Sequence, residues 1–397
     1  MNRQDFMSAR DNNNSDNMTV EARARRLRDR FAESGFTSIE PPILQPSEAF
    51  IGLSGEDIRR RLYLVQSDGN EELCLRPDVT IPVARIHLES GADEARYCYA
   101  GPSFRRVSDA ETSNLPGEFQ PAGFELFGSS EPETDMEIFA LAVGALKSEG
   151  LDAIQVRMGH PGIFRALIAA LDIPDFWRGR LLRHFWRRDL ATGIAAAFAN
   201  SPSKASGSEA FAAALTSLDR DAASGLVEEV LALAGIKPVG GRSADEIAHR
   251  FMERAALAAE PLPEKIIGIV QEYLSIEGSP DQVIAGIGAL NKEHNLALDG
   301  ETETLGTQLN EAEKILQDIF GNGSDLLFAA DFGRNLEYYT GLVFELHDRN
   351  NPGLRQIAGG GRYDRLLTGL GSKKDIPAVG CAIYVDRLSQ ALEGGNS

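Results

Sequence analysis

Hydrophobic and polar positions divide this chain into two blocks of short alternating runs, with a long stretch of helical period between them. Behind Thr19, whose hydroxyl suits a helix N-cap, Ala22, Leu27 and Phe31 recur at helical spacing until Gly35. Pro41, Pro42 and Pro46 exclude a helix across residues 36–50 and suit an extended edge segment. Residues 57–66 and 73–75 read as strand on either side of a turn at 67–70. Residues 78–88 begin as a loop and become a helix. A strand is expected over 97–106, a polar mobile loop over 107–117 and a returning strand over 118–128. Asp135 is expected to cap an amphipathic helix running through Leu146, and 153–158 is a short strand.

From 161 to 320 alanine and leucine dominate at helical spacing and strand signals are scarce. A serine-rich break at 200–208 and the pair Gly240-Gly241 subdivide the stretch, which reads as five to eight helices. Phe176, Trp177, Phe185 and Trp186 fall at helical spacing there and suit packing rather than ligand binding. Strand character returns at 325–330 and 340–347, and residues 376–392 read as a strand or turn entering a final helix. Strands in two blocks separated by helices predict an α+β fold with a mainly antiparallel sheet. The expected organisation is a mobile polar tail (1–18), a core in two parts (19–160 and 321–394) and a helical insertion (161–320).

Residues 330–364 concentrate the chemistry. Arg334, Tyr338 and Tyr339 precede a strand on which Leu342, Phe344 and Leu346 alternate, and Gly359-Gly360-Gly361 lead into Arg362, Tyr363 and Asp364. Two readings fit these residues. One is an ordinary hairpin with a glycine bulge; the other is a small polar-ligand pocket over a glycine floor.

Composition narrows the classes. At 397 residues the chain has room for two or three domains, and 43% hydrophobic with 25% charged residues is ordinary for a soluble protein. A formal charge of −19 argues against gripping nucleic acid. Cys74, Cys98 and Cys381 are scattered, so neither a disulfide framework nor a zinc site is expected, and no other metal or cofactor is. With no long apolar run and no leader pattern, a cytoplasmic protein without membrane contact is expected. There is no phosphate loop, dinucleotide fingerprint, HExxH or GxSxG motif. Asp78, Thr80 and Glu125 are acceptors, and Arg105 and Arg334 are forked donors. Such a set suits a zwitterionic amino acid, whose ammonium needs acceptors and whose carboxylate suits a guanidinium.

LRPDVT (75–80), GPSFRR (101–106), EFQPAGFE (118–125), GRNLEYYTGLVFE (333–345), GGRYD (360–364) and PAVGCAIYVDRL (377–388) together resemble the catalytic core of histidyl-tRNA synthetase, a class II synthetase. PPILQP resembles the first class II motif, which implies Pro42 at a homodimer interface. GPSFRR through GFE resembles the second motif and PAVGCAIYVDRL the third. The resemblance implies a histidine-binding set of Asp78 and Thr80 on the α-ammonium, Arg105 on the carboxylate, Glu125 facing the ligand, Arg334, and Tyr339 facing the imidazole with Tyr338 beside it. Arg387 falls where the family holds ATP, and is read here as a vestigial contact.

The departures from that family shape the functional expectation. Val107 stands where a glutamate belongs, Asp78 replaces a glutamate, and Pro121 replaces a glutamine of the histidine pocket. Only 397 − 364 = 33 residues follow Asp364, too few for an anticodon-binding domain. These features resemble the synthetase-like regulatory subunits of ATP phosphoribosyltransferase, the first enzyme of histidine biosynthesis. That implies a non-catalytic chain with no catalytic residues of its own. It would form a hetero-oligomer with a short catalytic ATP phosphoribosyltransferase subunit, support its activity and carry L-histidine feedback. The alternatives are a histidyl-tRNA synthetase-like enzyme that activates histidine with ATP, and an interaction protein with a vestigial pocket.

Overall fold

The computed structural model describes residues 18–66, 71–106, 117–185, 220–233, 262–333 and 338–394. The first strand block comprises β1 (Thr37–Ser38), β2 (Leu44–Pro46), β3 (Tyr63–Val65), β4 (Leu73–Leu75), β5 (Ala95–Ala100), β6 (Ser103–Phe104), β7 (Glu118–Phe119), β8 (Pro121–Phe127) and β9 (Ile154–Gly159). After the helices come β10 (Glu277–Gly278), β11 (Ser324–Ala329), β12 (Val343–Asp348), β13 (Ala358–Arg362) and β14 (Ala378–Tyr384). Nine strands form one sheet in the order β1-β5-β8-β14-β13-β12-β9-β11-β10. Its pairings are antiparallel except β1 with β5 and β9 with β11. The mainly antiparallel α+β expectation therefore stands. Strands of the two sequence blocks interleave, since β8 of the first pairs with β14 of the second. β2, β4 and β3 make a separate three-stranded sheet, and β6 pairs with β7.

The alternation of side chains along each strand sorts the core onto two faces. Ala122, Phe124 and Leu126 of β8, Cys381 and Ile383 of β14, and Phe344 and Leu346 of β12 face one large core. That core is closed by the helices Val20–Glu33, Pro132–Ser148, Asp299–Phe320 and Val385–Gly394. Phe127, Ala378, Val343 and Tyr363 face a second core with the helices Glu48–Arg59, Thr80–Ser90 and Leu366–Gly369. Covered on both faces, β8 is buried at all seven positions.

Local expectations fare unevenly. Thr19 caps the first helix as expected, its hydroxyl accepting from the Ala22 N–H at 3.2 Å. Asp135 does not cap. The next helix starts earlier, with Pro132 in its first turn, where a missing N–H costs nothing. Asp135 is instead buried and paired with Arg362. Residues 57–59, expected in a strand, close the helix Glu48–Arg59, and β3 is only three residues long. Within 161–320 the described residues hold helices and the two-residue β10. Trp177 is buried in the main core, while Trp186 lies outside the described residues.

Among the buried polar groups that lack a hydrogen-bond partner, His87 has the clearest consequence for stability. His87 is 1% exposed and stacks on Phe127, with centroids 4.4 Å apart and planes at 10°. Neither ring nitrogen has a hydrogen-bond partner among the described residues. Burial pulls its pKa below the usual value, so the folded chain keeps the ring neutral. The unfolded chain protonates it below about pH 6.5, which favours unfolding as pH falls through that value. His87→Phe should raise the unfolding free energy by about 1 kcal/mol at neutral pH. The gain over the wild type should widen toward about pH 5, because the variant no longer feeds the acid slope. Urea denaturation at the two pH values measures both effects.

Candidate functional site

The site lies over the centre of the large sheet, where small residues replace side chains. Gly380 of β14 pairs with Glu125 of β8 on one side and Gly361 of β13 on the other. Ala382 pairs with Gly123 and Gly359 in the same way. This bare floor is needed because Glu125 lies across it. A Cβ at Gly380 would stand 1.6 Å from the Glu125 Oε2 atom, so any side chain there would displace the carboxylate.

Glu125 is 1% exposed and has no cationic partner among its hydrogen bonds. Three hydroxyls donate to it instead. Thr80 Oγ1 reaches Oε1 at 2.7 Å, Tyr99 reaches Oε1 at 3.1 Å, and Tyr363 reaches Oε2. Burial pushes its pKa up to about 7, against the hydroxyl hydrogen bonds, which hold it down. A carboxylate offers about four lone-pair sites, so about one remains for a ligand. Glu125 is thus an anchored acceptor poised to change charge near neutral pH.

Around it the pocket is lined by Asp78, Val79, Thr80, Tyr99, Arg105 and Phe119, together with Tyr338, Tyr339, Tyr363, Gly380 and Tyr384. Asp78 and Thr80 are placed by the N-terminus of the helix Thr80–Ser90, where the Ile81 N–H donates to Asp78 Oδ1 at 3.1 Å. Burial raises the Asp78 pKa, and the Arg105 charge opposes that rise. Arg105 donates through Nε to the Pro77 carbonyl at 2.8 Å and lies 5.1 Å over the Phe119 ring. Its loop is held by Arg76, which donates to the Pro102 carbonyl at 2.8 Å and the Pro41 carbonyl at 2.5 Å. Tyr338 and Tyr339 set their rings edge-on to Tyr363, at 5.6 and 6.2 Å.

Six of the seven residues expected to bind histidine therefore line one pocket: Asp78, Thr80, Arg105, Glu125, Tyr338 and Tyr339. The seventh, Arg334, lies outside the described residues, as does Val107. Pro121 lines the pocket, and Gln120 beside it donates its N–H to Asp386 at 2.6 Å. Arg387 stands next to the pocket, 4.3 Å over the Tyr384 ring and bonded to the Gln356 carbonyl at 2.7 Å. Burial lowers its pKa, and the guanidinium groups of Arg105 and Arg355 lower it further. Sequence reasoning passes over Tyr99 and Tyr363, although both hold Glu125. Tyr99 lies on β5 and Tyr363 follows β13, and only the assembled sheet brings both hydroxyls to that carboxylate. Among the described residues no group of histidine, cysteine and carboxylate side chains could hold a metal, and no helix is long and apolar enough to cross a membrane.

Comparison with known proteins places this geometry. The family profile described as Histidyl-tRNA synthetase matches residues 8–245 and 222–388. A Brucella ovis ATP phosphoribosyltransferase regulatory subunit is 36% identical over 362 residues, 90% of this chain and 93% of that protein. The Brucella abortus protein of the same name is 36% identical over 90% of this chain and 92% of its own length. Among solved structures, an ATP phosphoribosyltransferase regulatory subunit/histidyl-tRNA synthetase from Bacillus halodurans aligns with a TM-score of 0.61. It is 21% identical, over 96% of this chain and 83% of that one. A histidine–tRNA ligase subunit from Alicyclobacillus acidocaldarius aligns with a TM-score of 0.54 and 21% identity, covering 94% of each chain. These last two show the fold alone. By the profile match and by 36% identity across nine-tenths of its length, the chain belongs to the family of ATP phosphoribosyltransferase regulatory subunits, built on the histidyl-tRNA synthetase fold.

Proposed function

We propose that this chain is the regulatory subunit of an ATP phosphoribosyltransferase in the first step of histidine biosynthesis, and that its pocket senses L-histidine rather than transforming it. In this reading the chain is not itself an enzyme. It works in the cytoplasm, in a hetero-oligomer with a short catalytic ATP phosphoribosyltransferase subunit. The carrying observation is that Asp78, Thr80, Arg105, Glu125, Tyr338 and Tyr339 converge on one pocket. Asp78 and Thr80 supply acceptors for an ammonium, Arg105 a donor for a carboxylate, and Glu125 an acceptor for an imidazole N–H. The family resemblance adds Arg334, which lies outside the described residues. Feedback needs a coupling of only about 1–3 kcal/mol, which charge-assisted hydrogen bonds made in one state alone can supply.

A homodimer within that assembly is supported by the small sheet. Ile43, Leu44, Tyr63 and Leu64 expose apolar side chains on and beside β2 and β3, next to Pro42. The division into a core in two parts and an insertion over 161–320 belongs to the same reading. One observation favours the enzyme alternative. Arg105 and Arg355 lie near enough to Arg387 for their charges to add to burial in lowering its pKa, a charge arrangement that suits phosphates.

Two measurements test these readings. L-histidine binding to the full chain with its catalytic partner should be strongest where one proton is shared between the ligand's imidazole (about 6.5) and Glu125 (about 7). Below that range Glu125 takes a proton and loses its charge; above it the imidazole loses its own. Glu125→Gln should weaken binding roughly tenfold near pH 7 and flatten the profile, read by calorimetry. Wild-type affinity in that variant would remove Glu125 from the reading. In the second measurement, stoichiometric protein should give no ATP–pyrophosphate exchange with histidine. Clear exchange would establish the enzyme alternative instead.

A further inference from the structure

The three residues after the glycine floor split across the sheet. Tyr363 points into the pocket and donates to Glu125. Its neighbour Arg362, 7% exposed, points to the opposite face and is fully engaged. Arg362 Nε donates to Asp135 Oδ1 at 2.8 Å, and Nη2 lies 2.6 Å from the same oxygen. Nη1 donates to the Ser129 carbonyl at 2.8 Å and to Asp364 at 3.2 Å, and Nη2 donates to the Glu131 carbonyl at 3.2 Å. The other oxygen of Asp135 accepts from Gln308, on the helix Asp299–Phe320, at 3.0 Å. The guanidinium is therefore fastened to the entrance of one core helix and, through Asp135, to a second.

The same residue holds the segment that carries the other two tyrosines. The Thr340 N–H donates to the Arg362 carbonyl at 2.8 Å. Thr340 Oγ1 accepts from the Asp364 N–H at 3.0 Å and donates to Asp364 Oδ2 at 3.2 Å. Gly341 lies flat on the Arg362 side chain, where a Cβ would come within 3.0 Å of its Cδ. Asp364 also accepts from the Ala378 N–H at the start of β14, at 3.1 Å. None of these groups lines the pocket, yet Tyr338, Tyr339, Tyr363 and the strand bearing Gly380 all hang on them.

We propose that Arg362 is the positioning residue of this pocket: its clamp on Asp135, Ser129, Glu131 and Asp364 sets where Tyr338, Tyr339 and Tyr363 stand around Glu125. The affinity readout depends on the histidine reading above, so the test includes one measurement that does not. Arg362→Lys keeps the charge but not the planar fork, so it meets Asp135 without the two carbonyls. The full-length variant should bind L-histidine roughly tenfold more weakly by calorimetry, measured well below its melting temperature. Thr340→Val, which leaves the guanidinium intact, should weaken binding in the same direction and serves if the lysine variant does not fold. Leu290→Ala removes a buried side chain from another helix and should lower stability while leaving affinity unchanged. Unchanged affinity in Arg362→Lys or Thr340→Val, or an equal loss in Leu290→Ala, would overturn the proposal. If the wild type binds no histidine, the histidine reading fails and amide exchange at Thr340 decides the positioning role. Faster exchange in Arg362→Lys upholds it, and an unchanged rate overturns it.

Discussion

A carboxylate buried at the centre of the large sheet is the constraint around which this fold is arranged. Glu125 sits where both faces of the sheet are covered, and ionising it there is costly unless donors surround it. The chain meets that cost with hydroxyls from three separate places: the start of a helix, the neighbouring strand β5, and the residue after β13. Each must arrive at a fixed distance, so helix, strands and floor are positioned together. The bare floor follows from the same constraint, since Gly380 has no room for a side chain beside Oε2. A hydroxyl cage holds the carboxylate without neutralising it, which is why its pKa stays near the physiological range.

Much of this was legible in the sequence, though through different signals. The prolines of 41–46, the alternation in residues 342–346 and the helical period between the strand blocks speak for local geometry, and they led to the mainly antiparallel sheet. Asp78, Thr80, Arg105 and Glu125 stood out by chemical type, and Tyr338 and Tyr339 as an aromatic pair. Their convergence on one pocket was reached through resemblance, because motif order and spacing carry family information that single residues do not. Asp135 was misread because aspartate near an expected helix start ordinarily caps it. Nothing local announced a partner 227 residues away in Arg362. Residues 57–59 were misread because an apolar and basic run supports either period, and tertiary packing decided for helix. Tyr99 and Tyr363 were passed over for a related reason. Tyr99 on β5 and Tyr363 just after β13 lie far apart in sequence, and only the assembled sheet brings both hydroxyls onto one carboxylate.

Arg362 and Tyr363 show how alternation distributes work. Arg362 ends β13 and Tyr363 follows it with its side chain on the other face, so one is anchored among helices while the other serves the pocket. The buried pair of Arg362 with Asp135 does not by itself imply stability, since removing two charges from water offsets much of their attraction. Its value is geometric. A fork that satisfies a carboxylate and two carbonyls has one orientation, and that orientation passes through the backbone to the neighbouring ring.

Arg76 has a related consequence outside the pocket. Its side chain ties the loop before Arg105 to the proline-rich segment ahead of β2, while its own backbone accepts from the Phe104 N–H and follows β4. The exposed apolar strands β2 and β3 and the loop presenting Arg105 are therefore joined through a single buried guanidinium, that of Arg76.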